Sequence, residues 1–214
     1  MRNGMRVFLA ACVFGIAAQL TTPLQSAPTK PLEPVRSFVE QVNDASTSFF
    51  SSGSEKDARE KCLELLSWAF DVPAIGEYAL GKAWARASEE ERKEFLEAFE
   101  DEIVGEYLRR MKGGTTMTFI GTRSPLQGDL LAASRVAIPG KADQTWIWRM
   151  RPEGQTWRIV DVLVDGRSAI LAERQTYADV LQANHGDIKA LIAYVRSRAD
   201  GASVSMKRPN KWGL

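Results

Sequence analysis

The residues with catalytic potential in this sequence are few, and their spacing does not favour catalysis. The one histidine, His185, lies in Asn184-His185-Gly186, a pattern typical of a helix end, where glycine takes a left-handed conformation. The sequence contains no serine nucleophile elbow, zinc-protease helix, CxxC pair or phosphate-binding loop. One histidine and one cysteine outside the N-terminal segment, Cys62, cannot form the usual zinc ligand sets. We therefore expect no catalytic residue, no metal and no other cofactor.

Asp161 interrupts a run of apolar residues and is the internal acid–base candidate of the sequence. Asp165 follows four residues later, about 13 Å away on an extended chain, which is too far to share a proton. Because buried charges are normally paired, we favour a structural ion pair between Asp161 and Arg149, Arg158 or Arg174. The alternative is a small α+β enzyme that acts on an apolar substrate with Asp161 as acid or base.

Apolar residues recur at three- and four-residue spacing through the first half of the chain, which predicts a series of helices. The first is expected over residues 35–50. Ser54 and Asp71 are the expected N-caps of the next two helices, and Ser88-Glu89-Glu90-Glu91 is a capping box for a fourth. Gly113-Gly114 is expected to end that helix.

The apolar period changes to two after residue 114, which predicts β-strands. Val160, Val162 and Val164 are expected to share one face of the last strand. The predicted fold is α+β: a four-stranded antiparallel meander packed against helices from both chain ends, enclosing an apolar cavity. The expected strands are 115–122, 130–138, 143–150 and 157–164, and the expected closing helices are 168–183 and 187–198.

An apolar cavity between a curved sheet and its helices suits a ligand with apolar chains. Residues on the inward faces of the predicted elements are the candidate lipid-binding residues, although ordinary core residues share their composition. Arg109 and Arg174 are candidate partners for a phosphate near the cavity mouth. A third possibility is an interaction module whose cavity is filled by side chains and takes no ligand. The candidate lipid-binding residues are Ile75, Tyr78, Val104, Tyr107, Leu108, Met117, Phe119, Val136, Ile138, Trp146, Trp148, Val162, Val164, Ile170 and Tyr177.

Residues 1–27 are predicted to be a signal peptide, which would place the mature chain in the periplasm. Arg2 and Arg6 precede a charge-free run from Val7 to Leu20. This run is too short for a membrane-spanning helix, which needs about 20 apolar residues. Small residues follow it, and we expect cleavage near Ala27.

Two alternatives concern the same segment: an uncleaved membrane anchor, and lipidation at Cys12 in a lipoprotein-like box. Residues 1–27 contain two arginines and no acidic residue, so their removal leaves 26 basic residues against 27 acidic ones. This near-neutral balance argues against a nucleic-acid partner, which needs a basic excess. Residues 203–214 are polar and basic and are predicted to be a flexible tail.

The last predicted strand and the segment after it resemble a known family. Trp157-Arg-Ile-Val-Asp161-Val-Leu-Val-Asp-Gly166-Arg-Ser168 is similar to the W-x-V-x-D-V-x-V-x-G-x-S pattern of the MlaC family, also called the toluene-tolerance family. The resemblance covers approximately residues 33–200. This chain departs from the family pattern at Arg167-Ser168-Ala169. Further similarities, in order, are Leu80-Gly81, Trp84, Phe95, Phe99, Tyr107, Arg174, Tyr177, Gly186-Asp187-Ile188 and Leu191-Ile192.

The resemblance implies a periplasmic lipid carrier rather than an enzyme. Members of that family bind acyl chains in a deep cavity between the sheet and the helices, with the head group near the mouth. The implied ligand is a phospholipid or a hopanoid. The implied partners are an inner-membrane ABC lipid transporter complex and an outer-membrane lipoprotein–porin complex, between which the carrier moves lipid. Residues 28–202 would then form the lipid-binding domain.

Overall fold

The structure is a computed structural model that describes residues 32–110, 113–126 and 128–199. The predicted signal peptide over 1–27 and the predicted tail over 203–214 lie outside these residues. Within the described part of the chain, no helix combines the length and the apolar character needed to cross a membrane.

Four α-helices precede the sheet, as the apolar spacing predicts, and a short 3₁₀ helix that was not predicted lies between the third and the fourth. The predicted N-caps are confirmed, because the Ser54 and Asp71 side chains each accept a hydrogen bond from a backbone amide three residues later, at 3.1 Å. The capping box is also confirmed, since Ser88 and Glu91 each bond the other's backbone N–H. The helices are α1 Leu32–Phe50, α2 Glu55–Ala69, α3 Val72–Leu80, the 3₁₀ helix Gly81–Arg86 and α4 Glu89–Arg110.

The four predicted strands and a short fifth strand form one antiparallel sheet in chain order. The strands are β1 Thr116–Leu126, β2 Asp129–Ala137, β3 Gln144–Glu153, β4 Thr156–Val164 and β5 Arg167–Ser168. The fifth strand corrects the prediction, which placed residue 168 in a helix. Asp165 and Gly166 adopt positive φ angles of 48° and 82° and reverse the chain, so that Arg167 and Ser168 pair with the end of β4.

A β-bulge in β4 corrects the expected alternation of that strand. The register of β4 against β3 shifts so that Val160 is an extra residue. Ile159 is completely buried, whereas Val160 is half-buried. The prediction that Val160 shares a face with Val162 and Val164 is therefore wrong, because a single inserted residue reverses the alternation.

Two helices close the chain, α5 Ala169–Ala183 and α6 Ile188–Ala199. The turn between them confirms the interpretation of the histidine as part of a helix end. His185 and Gly186 both have positive φ, 55° and 84°, and the Gly186 N–H donates to the Leu181 carbonyl at 2.7 Å. The two helices therefore form a hairpin whose closed end is this turn.

The core lies between the inner face of the sheet and the helices. Trp146 and Trp148 project from β3 with their ring centroids 5.8 Å apart in an edge-to-face arrangement. The Trp148 indole donates to Ser134 Oγ at 2.9 Å, and that hydroxyl donates to Asn43 Oδ1 at 3.1 Å. This buried chain of hydrogen bonds connects β3 and β2 to α1 and fixes the helix over the sheet.

Candidate functional site

A cavity of about 170 Å³ lies between α4, α5 and the strands β3 and β4. Its surface is almost entirely apolar, although four carboxylates border it. It is partly open rather than sealed. The residues that line it are Phe70, Ile75, Phe99, Glu102, Ile103, Glu106, Tyr107, Trp146, Asp161, Val162, Val164, Ala169, Ile170 and Glu173.

Two helices supply opposite walls of the cavity. Phe99, Ile103 and Tyr107 follow each other at four-residue spacing and therefore form one stripe of α4. Ala169 and Ile170 begin α5, immediately after the β5 strand turns the chain back. The local sequence thus positions both walls: the α4 periodicity on one side and the Asp165-Gly166 reversal on the other.

The structure brings six of the fifteen predicted lipid-binding residues to this cavity: Ile75, Tyr107, Trp146, Val162, Val164 and Ile170. Five others are buried elsewhere in the core: Val104, Val136, Ile138, Trp148 and Tyr177. Leu108, Met117 and Phe119 are half-buried against the core, and Tyr78 is 48% exposed. The assignment of all fifteen to lipid stays a prediction.

Sequence reasoning missed eight lining residues: Phe70, Phe99, Glu102, Ile103, Glu106, Asp161, Ala169 and Glu173. Phe99 and Ile103 carried a usable signal, since they belong to the same four-residue stripe as Tyr107. The three glutamates carried none, because charged residues on a helix usually mark its solvent face. Their position becomes apparent only once α4 and α5 are seen to face each other across the cavity.

Arg198, in the last turn of α6, is 4% exposed and joins the carboxylates of the two cavity walls. Its terminal nitrogens bind both oxygens of Glu173 on α5, at 2.7 and 3.1 Å. Its Nε lies 2.7 Å from Glu102 Oε1 on α4, and its Nη2 lies 4.0 Å from Glu106 Oε1 on the same helix. One guanidinium therefore compensates carboxylates that are otherwise costly to bury.

Glu102 is the most deeply buried of these carboxylates. The Tyr177 hydroxyl donates to its second oxygen. Burial raises the pKa of Glu102 to about 8, and the nearby negative charges of Glu173 and Glu106 add to that rise, although Arg198 and Tyr177 oppose it. Burial also raises the pKa of Tyr177, which stays a neutral hydrogen-bond donor.

The raised pKa of Glu102 predicts a pH dependence of stability. The usual pKa of this group is 4.5, so the folded chain holds an extra proton between pH about 4.5 and pH about 8. The stabilisation from that proton is fully present below pH 4.5 and is lost as the pH rises through 8. In urea unfolding experiments between pH 5 and pH 8, we expect the free energy of unfolding to decline less for Glu102→Gln than for the wild type. Parallel curves for the two proteins would contradict the assignment.

Asp161 lies at the cavity edge and is held by the start of α5. Ser168 Oγ donates to its Oδ2 at 2.6 Å, and the Ile170 N–H lies 3.3 Å from its Oδ1. Burial raises the pKa of Asp161, while the Ser168 hydrogen bond opposes the rise. This carboxylate fixes the end of β4 to the N-terminus of α5, where backbone N–H groups favour negative charge.

Hydrogen bonds from Ser168 and Ile170 hold Asp161, and the charge of Arg149 acts on the same carboxylate. Arg149 binds Asp129 at 2.6 Å, and its positive charge lowers the pKa of Asp161. Arg158 binds Glu153 at 2.6 Å. Arg174 donates to the Tyr78 carbonyl. The sequence indicated that Asp161 would need a partner, and the β5 reversal brings a hydroxyl and a backbone amide to it.

The two arginines suggested for a phosphate both have protein partners. The Arg174 guanidinium lies 4.7 Å from the centroid of the Tyr78 ring and donates to the carbonyl of that residue at 3.0 Å. Arg109 bonds Glu106 and the Ala199 carbonyl, at 3.0 and 3.1 Å. Each arginine lies beside a lining glutamate, since Arg109 bonds Glu106 and Arg174 directly follows Glu173 in sequence.

The described residues offer little other chemistry. Among residues 32–110, 113–126 and 128–199, no group of three or more His, Cys, Asp or Glu side chains could hold a metal ion. Cys62 is buried, as expected, and burial raises the pKa of its thiol to about 12. A thiol with that pKa is protonated at neutral pH and is a poor nucleophile.

The size of the cavity decides what it holds in this conformation. An engineered apolar cavity of about 150 Å³ holds one benzene molecule, and ligand pockets usually measure about 300–1,000 Å³. A cavity of about 170 Å³ therefore admits only a short length of one acyl chain. Binding of a whole two-chain lipid requires α4, α5 and the sheet to separate.

Comparison with known proteins gives a family and a fold. The sequence model of the family described as MlaC protein matches residues 37–197. The chain is also similar to a solved phospholipid-binding protein from Ralstonia solanacearum, determined in complex with a phospholipid, with a TM-score of 0.64 and 17% identity. The similarity covers 78% of this chain and 98% of that chain, and it confirms the α+β fold. No curated protein sequence matches the chain.

Proposed function

The chain belongs to the MlaC family, and on this premise we propose that it is a carrier of phospholipid in the periplasm. The apolar cavity between α4, α5 and the sheet supports this proposal most directly, because it offers acyl chains a surface away from water. The solved relative from Ralstonia solanacearum holds a phospholipid. No comparison points to a hopanoid, so phospholipid is the cargo that we propose.

A carrier of this kind needs an apolar surface and no catalytic group. Moving acyl chains from a bilayer into water costs about 0.8 kcal/mol per methylene, or on the order of 20–25 kcal/mol for two chains with about thirty methylenes. Once α4 separates from α5 and the sheet, a cavity lined by Ile103, Tyr107 and Val162 removes most of that cost. The free energy of the lipid in the carrier is then close to its free energy in the bilayer, so the carrier can both take up and release lipid.

The family suggests the two ends of the route. We propose that the carrier exchanges phospholipid with an outer-membrane lipoprotein–porin complex and with an inner-membrane ABC lipid transporter complex. This role needs the chain to reach the periplasm, as the expected signal peptide over residues 1–27 would allow.

The test is native mass spectrometry of the protein purified from the periplasm of its own cells, followed by solvent extraction. We expect a discrete adduct whose mass corresponds to one phospholipid and which extraction removes. A bare protein mass under gentle conditions, with no lipid in the extract, would contradict the proposal and favour a module whose cavity takes no ligand.

One observation favours a second candidate, an enzyme that acts on an apolar substrate: Asp161 borders the cavity and lies within hydrogen-bond distance of the Ser168 hydroxyl. The variant Asp161→Asn distinguishes the two functions. We expect it to lose about 1–2 kcal/mol of stability, because one charge-assisted hydrogen bond is replaced by a weaker one. Its phospholipid content per folded protein is expected to equal that of the wild type.

The enzyme hypothesis makes the opposite prediction for the same pair of proteins. Incubated with phospholipid vesicles, a carrier releases no fatty acid or lysophospholipid, whether or not Asp161 is replaced. Product from the wild type that disappears with Asp161→Asn, measured by thin-layer chromatography, would establish Asp161 as a catalytic group.

A further inference from the structure

We infer that Arg198, together with Glu102 and Glu173, is a clasp that holds the carrier closed and must release Glu173 before phospholipid can enter. This inference rests on the proposed function and adds to it the movement that opens the cavity. The three residues are called the Arg198 clasp below.

The Arg198 clasp spans the cavity. Glu102 on α4 and Glu173 on α5 both line it, on opposite walls, and the Arg198 guanidinium lies between them. Arg198 donates one hydrogen bond to each oxygen of the Glu173 carboxylate. This bidentate contact fixes the orientation of Glu173 as well as its distance from Arg198. Arg198, which belongs to neither helix, therefore holds α4 and α5 at a fixed separation together with the direct hydrogen bond from Tyr177 of α5 to Glu102 of α4.

The C-terminal end of α6 is fixed to α4 rather than to α5. The Ala199 carbonyl approaches Gly105 so closely that a Cβ at that position would lie 2.7 Å from the carbonyl oxygen. Arg109 donates to the same carbonyl at 3.1 Å. On the surface, Arg196 pairs with Glu94 of α4 at 3.5 Å. Three separate contacts thus anchor this end of α6, and Arg198 stays with α4.

The helices α4 and α6 form the unit that can swing, because α5 is fixed to β4 by the Asp161–Ser168 hydrogen bond and to α3 by Arg174. The helix α5 joins α6 through the turn at residues 184–186, where two successive residues adopt positive φ. Glu173 lies in the second turn of α5 and Arg198 in the last turn of α6, so their contact closes the open end of the hairpin. A rotation about the 184–186 turn moves that open end furthest. The clasp is therefore placed where it restrains the swing most strongly.

Opening is required by the size of the cavity. About 170 Å³ is too small for two acyl chains, and moving α4 away from α5 widens it. That movement breaks the bidentate contact of Arg198 to Glu173 and the hydrogen bond between Tyr177 and Glu102. An empty carrier is thereby kept narrow, so that less of its apolar lining meets water until acyl chains replace the lost contacts.

The test uses Glu173→Gln, which keeps the side-chain shape and removes the charge that Arg198 holds. Protein freed of lipid is mixed with vesicles of phosphatidylethanolamine and phosphatidylglycerol that contain a fluorescent phospholipid. We expect roughly tenfold faster uptake by Glu173→Gln than by the wild type, since a neutral partner holds a guanidinium less tightly than a charged one. The matched control is Glu94→Gln, which breaks the exposed pair between Glu94 of α4 and Arg196 of α6 but leaves the Arg198 contact to Glu173 in place, and it is expected to leave the rate unchanged.

Equal rates for the wild type, Glu173→Gln and Glu94→Gln would overturn the clasp while leaving the carrier function intact. If the wild type takes up no phospholipid, the proposed function itself fails. Circular dichroism shows whether each variant is folded. Should Glu173→Gln not fold, Glu173→Asp is the second variant: it keeps the charge but shortens the reach, and we expect uptake between that of the wild type and the tenfold value.

Discussion

Replacing Val162 by tryptophan is expected to abolish phospholipid loading while the protein stays folded. Val162 projects from β4 into the cavity, directly opposite Trp148 on β3. An indole at this position fills the space next to the walls formed by Ile103 and Ile170. The extra volume costs about 1–3 kcal/mol if the neighbours must shift, which most folded proteins tolerate. Loading is measured as phospholipid phosphorus per protein after extraction, and we expect a decrease of at least about tenfold.

The neighbouring residue gives a matched control for this substitution. Leu163 follows Val162 on β4, pairs with Ile147 and Ser168, and does not line the cavity. Leu163→Trp adds a ring of the same size to the other face of the strand, and its lipid content is expected to match the wild type. Normal loading of folded Val162→Trp would show that acyl chains bind elsewhere. Equal loss in both variants would point to a general effect on the sheet.

Replacing Arg198 by alanine is expected to cost about 3–5 kcal/mol of folding free energy. Removing one member of a buried ion pair leaves its partner without compensation: Glu173 loses the guanidinium that neutralises it, and Glu102, which is mostly protonated at neutral pH, loses a hydrogen-bond partner. The pKa of Glu102 is then expected to rise further, because Arg198 is the group that opposes the effect of burial most strongly. Urea unfolding at neutral pH measures the change.

The control for this variant is Arg196→Ala, two residues earlier on the same helix. Arg196 and Glu94 are 53% and 37% exposed, and their pair lies 3.5 Å apart on the surface. Exposed pairs of this kind contribute about 0–1 kcal/mol. Arg198→Ala and Arg196→Ala should therefore differ by at least about 2 kcal/mol. Equal destabilisation would contradict the view that the buried network, rather than helix α6 alone, holds α4 and α5 together.

The secondary structure was predictable because local patterns and tertiary structure agree. Ser54 and Asp71 cap the helices that they were expected to cap, and Ser88 opens α4. Gly140 and Gly154 lie between the expected strands and adopt the positive φ that tight turns require. These features depend on residues within a few positions of one another.

The details that sequence reasoning missed depend on pairing between distant segments. The bulge at Val160 is defined only against β3, and β5 exists only because two residues after a tight turn lie beside β4. No property of Val160 itself distinguishes it from its neighbours. An expectation of strict alternation is therefore correct for most of the strand and wrong at the insertion.

The cavity residues were partly predictable, for a physical reason. Core and cavity residues share one apolar composition, so Trp148 and Val104 were equally good candidates although both are simply buried. The network around Arg198 was beyond reach, because it joins groups 25 to 96 positions apart on three helices. Glu102 carries a charge on a helix that is mainly polar, and only the fold shows that it faces inward.

The most direct test of the account is photo-crosslinking with a phospholipid that carries a diazirine on its acyl chain. The protein is loaded from vesicles, irradiated and digested, and the labelled residues are identified by mass spectrometry. We predict labels on the α4 stripe and on the facing residues of β4 and α5, at Ile103, Tyr107, Val162 and Ile170, and none on Leu163. Labels confined to the outer face of the sheet, or no labels on a chain that has taken up lipid, would contradict the claim that this cavity holds the acyl chains.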